Sequence, residues 1–318
     1  MYFFETTVKC KDVKRKDGTH LAILNGRKIR YLISCDSGLR NRARKVLSNS
    51  VSPYSRKLGL LMDCLTWIPV FTLRAARLGR IVSVTLPEEI LTAMTKVAER
   101  RWPQKKWTYN IIVGSYVEKQ KIVIQCFTDD LRDVPIYVKV CADNARVELE
   151  NETNYLSAPI QSQYFKNPKL CYSILQKDGV RFNIQVTEEF SGSKVEPEMT
   201  QEIYRLFQEI AKFRCQETID GRLLCFSHGD FVPWNLRRTK DYYIIFDWEY
   251  CGMRFYGFDL IHYLWQIHNK LMGQDAEKAI RESIQIAKEY DEYLRSLPDE
   301  YIENQYFTEL RMQFGEVL

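Results

Sequence analysis

The feature that most constrains this 318-residue chain is a polar loop placed between two short apolar runs. The run that begins at Leu223 stops at residues 228–235 (HGDFVPWN), and the next run ends at Asp247. Two strands that each deliver a carboxylate, with a side-chain amide beside them, offer the hard oxygen ligands that Mg²⁺ prefers. The pattern therefore predicts a metal-dependent site that includes Asp230, Asn235 and Asp247.

The loop resembles the catalytic loop of protein kinases, in which a His-x-Asp is followed five residues later by an Asn. Gly229, and the Asp-Trp-Glu at residues 247–249, are more similar to the aminoglycoside phosphotransferase and choline kinase branch of that superfamily. The Phe-Asp-Leu at residues 258–260 is also similar to this branch. A hydrogen-bonded turn between two strands is the alternative, which the sequence does not favour.

The resemblance implies a role for each residue of the motif. Asp230 would accept or orient the proton of the attacking hydroxyl, and Asn235 and Asp247 would hold Mg²⁺. His228 and Asp259 would support the backbone of the catalytic loop and take no direct part in the chemistry.

The resemblance also implies a nucleotide site for ATP or GTP in the preceding part of the chain. Lys139, in the strand IYVKV, would contact the α- and β-phosphates. Glu152 on the following helix would tether this lysine, with Glu148 as the alternative partner. Gly114 and Ser115 stand where protein kinases have a glycine-rich loop, and they would form a reduced cover over the phosphates.

The adenine contacts are predicted from position alone. Residues 187–192 fall where a hinge would offer main-chain groups to the base, which points to Glu188 and Phe190. Main-chain contacts leave no side-chain signature, so the sequence supplies no further test of this prediction.

For the fold, we expect an α+β, two-lobed protein-kinase-like architecture. Its N-terminal lobe would hold an antiparallel sheet, and its C-terminal lobe would be mainly helical. The expected divisions are a basic extension or enlarged N-terminal lobe at residues 1–105, the N-terminal lobe at 106–186 and the C-terminal lobe at 187–318. The patterns predict helices at residues 87–101, 145–158 and 197–215, and strands at residues 109–114, 121–127, 136–140 and 181–186.

The first hundred residues look irregular and strongly basic. Residues 1–110 carry 22 lysines and arginines against 8 acidic residues, whereas residues 187–318 carry 15 against 24. This polarity predicts either an internal neutralising interface or a basic face that meets phosphate, an acidic glycan or an anionic membrane. The apolar run at 58–73 is too short and broken for a spanning helix, so peripheral membrane contact through residues 40–80 is the alternative to burial.

The nine cysteines follow no C-x-x-C spacing, which predicts reduced thiols in a cytosolic protein. The N-terminal residues lack the apolar core of a signal peptide. We therefore expect a cytoplasmic protein, with a peripheral position at the inner face of the membrane as the alternative.

A set of aromatic and acidic residues near the C-terminus has two interpretations. The residues would frame a cationic substrate through charge and cation–π contacts, or they would form an aromatic core with a solvated acidic face. The sequence favours the second interpretation. The set is Tyr263, Trp265, Tyr290, Tyr293, Glu249, Asp291 and Glu292.

The leading functional interpretation is an ATP- and Mg²⁺-dependent phosphotransferase acting on a hydroxyl of a small molecule or saccharide, such as a lipid-linked or cell-surface glycan. One alternative is a kinase of a small alcohol of the choline, ethanolamine or thiamine type. An alternative of another class is a nucleotide-binding pseudokinase that acts as a partner module, against which the presence of Lys139, Asp230 and Asp247 argues. Nucleic-acid binding has no recognition motif to support it.

Overall fold

The computed structural model describes most of the chain and divides it into two compact units. Residues 1–153 and 169–190 form the first unit, and residues 154–168 and 191–318 form the second. Ser115, Phe190 and residues 40–78 of the basic segment lie outside the described residues. The described residues are 2–14, 18–25, 28–36, 79–114, 118–130, 132–175, 182–188, 192–218 and 221–314.

The first unit is built on a sheet of nine described strands in which every neighbouring pair is antiparallel. Its spatial order is β1-β4-β2-β3-β5-β6-β7-β10-β9. The strands are β1 (Lys9–Asp12), β2 (Thr19–Asn25), β3 (Lys28–Ser34), β4 (Gly79–Thr85), β5 (Trp107–Val113), β6 (Lys121–Thr128), β7 (Ile136–Cys141), β9 (Leu170–Ile174) and β10 (Asn183–Glu188), while β8 (Phe165–Lys166) belongs to the second unit.

The expectation that the first hundred residues are irregular is wrong for their described part. Strands β1 to β4 are hydrogen-bonded members of the same sheet as β5 to β10, joined to it where β3 pairs with β5. In β3 and β4, basic side chains stand next to buried ones, which weakens the apolar pattern of these strands in the sequence. In β4, for example, Arg80 is exposed between Gly79 and Ile81, which are buried.

Three helices accompany this sheet: α1 (Phe3–Thr7), α2 (Glu88–Arg101) and α3 (Arg146–Ser157), the last of which crosses the unit boundary after Thr153. Acidic residues open α2 and arginines close it, as the helix dipole favours. Its buried residues recur three and four positions apart and join the core with the apolar strand residues. This face is formed by Ile90, Ala93, Met94, Val97 and Ala98.

The second unit combines two small sheets with five helices in its described residues. One sheet has the order β11-β14-β15-β8 and the other β12-β13-β16. The strands are β11 (Ser193–Lys194), β12 (Cys215–Glu217), β13 (Leu223–Ser227), β14 (Leu236–Arg238), β15 (Tyr243–Ile245) and β16 (Gly252–Phe255). The helices are α4 (Gln201–Ala211), α5 (Phe258–Gln266), α6 (Ala276–Tyr290), α7 (Glu292–Ser296) and α8 (Asp299–Phe314).

These elements confirm the predicted class, an α+β fold with an antiparallel sheet in the N-terminal part and helices in the C-terminal part. The predicted helix at 197–215 is shorter in the structure. It starts at Gln201, where the Thr200 side chain caps it by accepting from the Ile203 N–H, and it ends at Ala211. In the part of the chain that the structure describes, no helix combines the length and the apolar character needed to span a membrane.

Two cysteines depart from the expectation of reduced thiols. The β12–β13 hairpin places Cys215 directly opposite Cys225, with their Cα atoms 4.1 Å apart, and the two form a disulfide. Nine intervening residues give no motif by which sequence reading would pair them. Because this pairing depends on strand register, only the folded hairpin reveals it. The other described cysteines take no part in a disulfide.

Candidate active site

The predicted metal ligands are brought together by a β-hairpin. Strand β14 pairs with β15 so that Leu236 faces Ile245, and one step further the Phe246 N–H donates to the Asn235 carbonyl at 3.2 Å. Asp247 is the next residue after this last pairing. The hairpin register therefore places Asp247 and Asn235 at the same end of two bonded strands.

Asp230 is joined to Asn235 by side-chain and main-chain contacts. The Asn235 amide Nδ2 donates to Asp230 Oδ2 and to the Asp230 carbonyl, each at 3.0 Å. The Asp230 side chain is 24% exposed, whereas Asn235 is buried. This arrangement fixes the carboxylate while leaving part of it accessible to a second molecule.

The backbone of the loop rests on Asp259, near the start of α5. One carboxylate oxygen, Oδ2, accepts from the His228 N–H at 2.6 Å. The other, Oδ1, accepts from the Gly229 N–H at 2.9 Å and from the Ser227 hydroxyl at 2.8 Å. Asp259 is 2% exposed, so these charge-assisted bonds supply the partners that its buried charge requires. Asp259 thus holds the main chain of the loop at two N–H groups.

His228 connects the loop to the segment that carries Asp247. Its Nδ1 accepts from the Asp230 N–H at 3.2 Å, so Nε2 carries the proton and donates to the Phe246 carbonyl at 3.1 Å. Burial lowers the pKa of His228, which keeps the ring neutral. Both ring nitrogens are thus committed to the protein, as expected of a residue that shapes the loop.

Gly229 allows the loop to lie close to the chain beyond Asp247. Its φ is +84°, and a Cβ at this position would stand 2.1 Å from the Tyr250 carbonyl oxygen. A side chain here would therefore meet both a left-handed backbone and a fixed main-chain atom.

Gly229→Ala is expected to lower the free energy of unfolding by more than about 2 kcal/mol, because backbone strain and a steric clash add together. The matched control is Gly221→Ala, which shares a φ of +77° but has no atom within 4 Å of the added Cβ. Urea unfolding of both variants measures the difference. Equal losses at the two positions would contradict the close approach of the loop to Tyr250.

The donor set at the hairpin end fits a divalent cation. Asp247 takes a left-handed φ of +72°, a conformation that Asp tolerates better than most side chains. The Nδ2 of Asn235 donates to Asp230, and the Oδ1 of the same amide is the atom suited to bind a cation. Carboxylate and amide oxygens are the ligands that Mg²⁺ takes. Among the described residues, no group of three or more His, Cys, Asp or Glu side chains is arranged to hold a metal ion.

In the first unit, Lys139 and Glu152 form the ion pair that the sequence anticipates. Lys139 Nζ lies 2.7 Å from Glu152 Oε2, and the two side chains are 20% and 3% exposed. Lys139 alternates with the buried Val138 and Val140 of β7, so it projects from the sheet face opposite to theirs. Glu148, the alternative partner, pairs instead with Lys119 at 2.6 Å.

Of the remaining predicted nucleotide residues, Gly114 and Glu188 lie in the described part of the chain, and both bond to other residues of the first unit. The Gly114 N–H donates to the Lys121 carbonyl at 3.2 Å, and a Cβ on Gly114 would meet the same oxygen at 2.6 Å. Close packing of the hairpin thus accounts for this glycine. The Glu188 side chain pairs with Arg101 at 2.9 Å and with Lys169 at 3.4 Å. Nucleotide contacts by Gly114 and Glu188 stay predictions.

Three of the seven residues of the aromatic and acidic set near the C-terminus belong to the core. Tyr263 and Trp265 are buried. Asp291 is also buried, and its carboxylate accepts from the hydroxyls of Tyr204 at 2.9 Å and Tyr256 at 2.6 Å. A carboxylate engaged in this way supports the packing interpretation that the sequence favours.

Sequence reading missed two buried side chains beside Asp230. His262 Nε2 lies 3.2 Å from Asp230 Oδ1, and His262 Nδ1 lies 2.9 Å from the Tyr306 hydroxyl. The position of His262, three residues after Asp259 on a helix, was an available signal, because residues at this spacing share a helix face. Tyr306 is 44 residues from His262 and carries no local signal.

Comparison with known proteins finds a family model that matches part of the chain. Residues 180–296 match the family model described as the phosphotransferase enzyme family, APH. This segment contains the whole loop, the hairpin and α5. No curated protein matches the chain.

Several solved structures are similar over much of the chain at low identity. An amicoumacin kinase, solved with AMP-PNP, Ca²⁺ and Ami, has 13% identity and a TM-score of 0.40, covering 71% of this chain and 93% of its own. A microcompartment-associated aminopropanol kinase has 11% identity and a TM-score of 0.39, covering 70% and 87%. A choline kinase from Cryptosporidium parvum Iowa II has 11% identity and a TM-score of 0.35, covering 70% and 94%.

The family match covers the loop, the hairpin and Asp259, and it confirms the resemblance there and the predicted enzyme class. Lys139 and Glu152 lie outside the matched residues. Over residues 180–296, this chain is similar to the phosphotransferase enzyme family.

Proposed function

We propose that this chain is a Mg²⁺-dependent kinase that transfers the γ-phosphate of ATP to a hydroxyl group of a small molecule or saccharide. The observation that carries the proposal is the partly exposed Asp230 carboxylate, held by the Asn235 amide at 3.0 Å at the end of the hairpin that delivers Asp247. A carboxylate, an amide and a second carboxylate in this order are the parts that phosphoryl transfer requires.

In the proposed reaction, Asp230 handles the proton of the acceptor hydroxyl. The acceptor oxygen forms a bond to the γ-phosphorus while the bond from that phosphorus to the bridging oxygen of ADP breaks. Asp230 accepts or orients the hydroxyl proton as this happens. A bound Mg²⁺ supplies charge neutralisation on the phosphates, and Asn235 and Asp247 would hold it. Most of the rate enhancement is expected from positioning and electrostatics.

Lys139 is proposed to contact the phosphates of the nucleotide. Its pairing with the buried Glu152 supports this role, since an ion pair with one partner 3% exposed holds the ammonium group in place. The proposed nucleotide is ATP, with GTP as the alternative.

For the acceptor we propose a saccharide, with a small amino or vitamin alcohol as the alternative. Residues 1–110 carry 22 basic residues against 8 acidic ones, and this positive charge supports an anionic or membrane-bound acceptor. Residues 40–80 are the segment proposed to contact it. A pseudokinase is the alternative of another class. The presence of Lys139, Asp230 and Asp247 together argues against it.

A phosphate-transfer screen tests the proposed function. Purified protein is incubated with radiolabelled MgATP and a panel of sugars, amino alcohols, thiamine and lipid-linked glycans. We expect label to enter one class of hydroxyl compound, and EDTA to abolish the transfer. Label that enters no acceptor and is not released from ATP, while nucleotide still binds, would favour the pseudokinase.

A further inference from the structure

One face of α5 supports both the backbone and the side chain of the catalytic loop. Asp259 and His262 are three residues apart on this helix, and residues at that spacing lie on one side. Asp259 accepts from the N–H groups of His228 and Gly229, while His262 meets the carboxylate of Asp230 at 3.2 Å. The loop backbone and the carboxylate are thus held by two different residues of the same helix.

Helix α8 supports the same loop from a second side. The Tyr306 hydroxyl lies 2.9 Å from His262 Nδ1, and seven residues later Gln313 Nε2 donates to the Gly229 carbonyl at 2.8 Å. A spacing of seven places both side chains on one face of α8. His262 and Tyr306 are each 0% exposed, so bulk water has no access to replace a lost contact between them.

The proton positions follow from the chemistry of the partners. Burial raises the pKa of Tyr306 well above its ordinary value, so its hydroxyl keeps its proton. A carboxylate at Asp230 only accepts, so Nε2 of His262 carries hydrogen, and in the neutral imidazole Nδ1 is then the atom that accepts from Tyr306. The amide of Gln266 lies 3.4 Å from the same Nε2, a longer and weaker contact.

We propose that His262 is a positioning residue for Asp230, and that Tyr306 fixes the imidazole tautomer that allows it to act. His262 holds Oδ1 while Asn235 holds Oδ2, so the carboxylate is fixed at both oxygens and cannot rotate away from the acceptor hydroxyl. The inference rests on the proposed function, because His262 and Tyr306 have this role only if Asp230 handles the acceptor proton.

The test compares two side chains that differ in reach. In His262→Gln, the amide nitrogen can occupy the place of imidazole Nε2 and donate to Asp230. In His262→Asn, the amide nitrogen reaches only the place of Nδ1. Steady-state kinetics of MgATP turnover are measured for both variants, for Tyr306→Phe, for Asp230→Asn and for the native chain, with thermal melting as the check on folding.

We expect His262→Asn to lower kcat by about 10- to 100-fold with the KM for ATP changed less than about threefold, as for residues that orient a catalytic group. His262→Gln should recover most of this loss, and Tyr306→Phe should lower kcat by about 10-fold. If His262→Gln and His262→Asn lose equal activity, or both keep native kcat while Asp230→Asn is inactive, the positioning role is overturned and the proposed function stands. If the native chain and Asp230→Asn turn over ATP equally, the proposed function fails and the inference with it.

Discussion

Asp230→Asn is expected to lower phosphate transfer by about 100- to 10,000-fold, the range that a positioned proton acceptor contributes. Asn has nearly the same size and still fits beside Asn235, but an amide cannot take the acceptor proton. The nucleotide contacts are assigned to other residues, so the Kd for ATP should change less than about threefold. Initial rates with the acceptor found by screening, together with equilibrium titration of ATP, measure the two quantities separately.

The control for this variant is Asp241→Asn. Asp241 is an exposed carboxylate in the turn between β14 and β15 of the same hairpin, and it belongs to no part of the proposed site. Its replacement should leave the rate within about twofold of native. A loss of activity in Asp241→Asn equal to that in Asp230→Asn would point to a general effect of charge on the hairpin and against a specific role for Asp230.

Asp247→Asn is expected to raise the Mg²⁺ concentration needed for half-maximal activity by at least about 100-fold, because a neutral amide replaces a charged ligand. This substitution is compatible with the backbone conformation at residue 247. The φ of Asp247 is +72°, and Asn accepts left-handed backbone as readily as Asp. The free energy of unfolding should therefore stay within about 0.5 kcal/mol of native. Activity measured across a Mg²⁺ titration gives the shift.

The companion variant, Asp247→Ala, separates the metal from the backbone. It removes the ligand as well, but it also places a Cβ-bearing residue without a polar side chain in left-handed backbone, which costs about 1–2 kcal/mol. Both variants should lose Mg²⁺ affinity, and only Ala should lose stability. A native Mg²⁺ midpoint in Asp247→Asn would remove Asp247 from the set of metal ligands.

The sequence predicts best those parts of the site whose residues are close along the chain. The loop, the hairpin and Asp259 all fall within residues 223–262, where short strands and a helix have few ways to pack. Lys139 and Glu152 are thirteen residues apart on a strand and the helix that follows, so their contact depends on one local connection. Local elements of this kind retain their pattern in the sequence.

The parts that escape prediction depend on distant pairing. Tyr306 reaches His262 because α8 returns to α5 after two intervening helices, and nothing in either local sequence specifies this. The basic strands β1 to β4 extend the sheet through the pairing of β3 with β5, across a separation of about eighty residues. Cys215 meets Cys225 through strand register, which a single-residue shift would change.

The most direct test of Asp230-dependent phosphate transfer is to follow where the γ-phosphate of ATP goes. Phosphorus NMR follows MgATP with the native chain and with Asp230→Asn, in the presence of the acceptor panel. We expect that the native chain alone depletes the γ-phosphate resonance and produces a phosphomonoester resonance, and that this stops when Mg²⁺ is removed. Identical spectra for the native chain and Asp230→Asn would rule out the proposed role of Asp230 in phosphate transfer, whether both samples consume ATP or neither does.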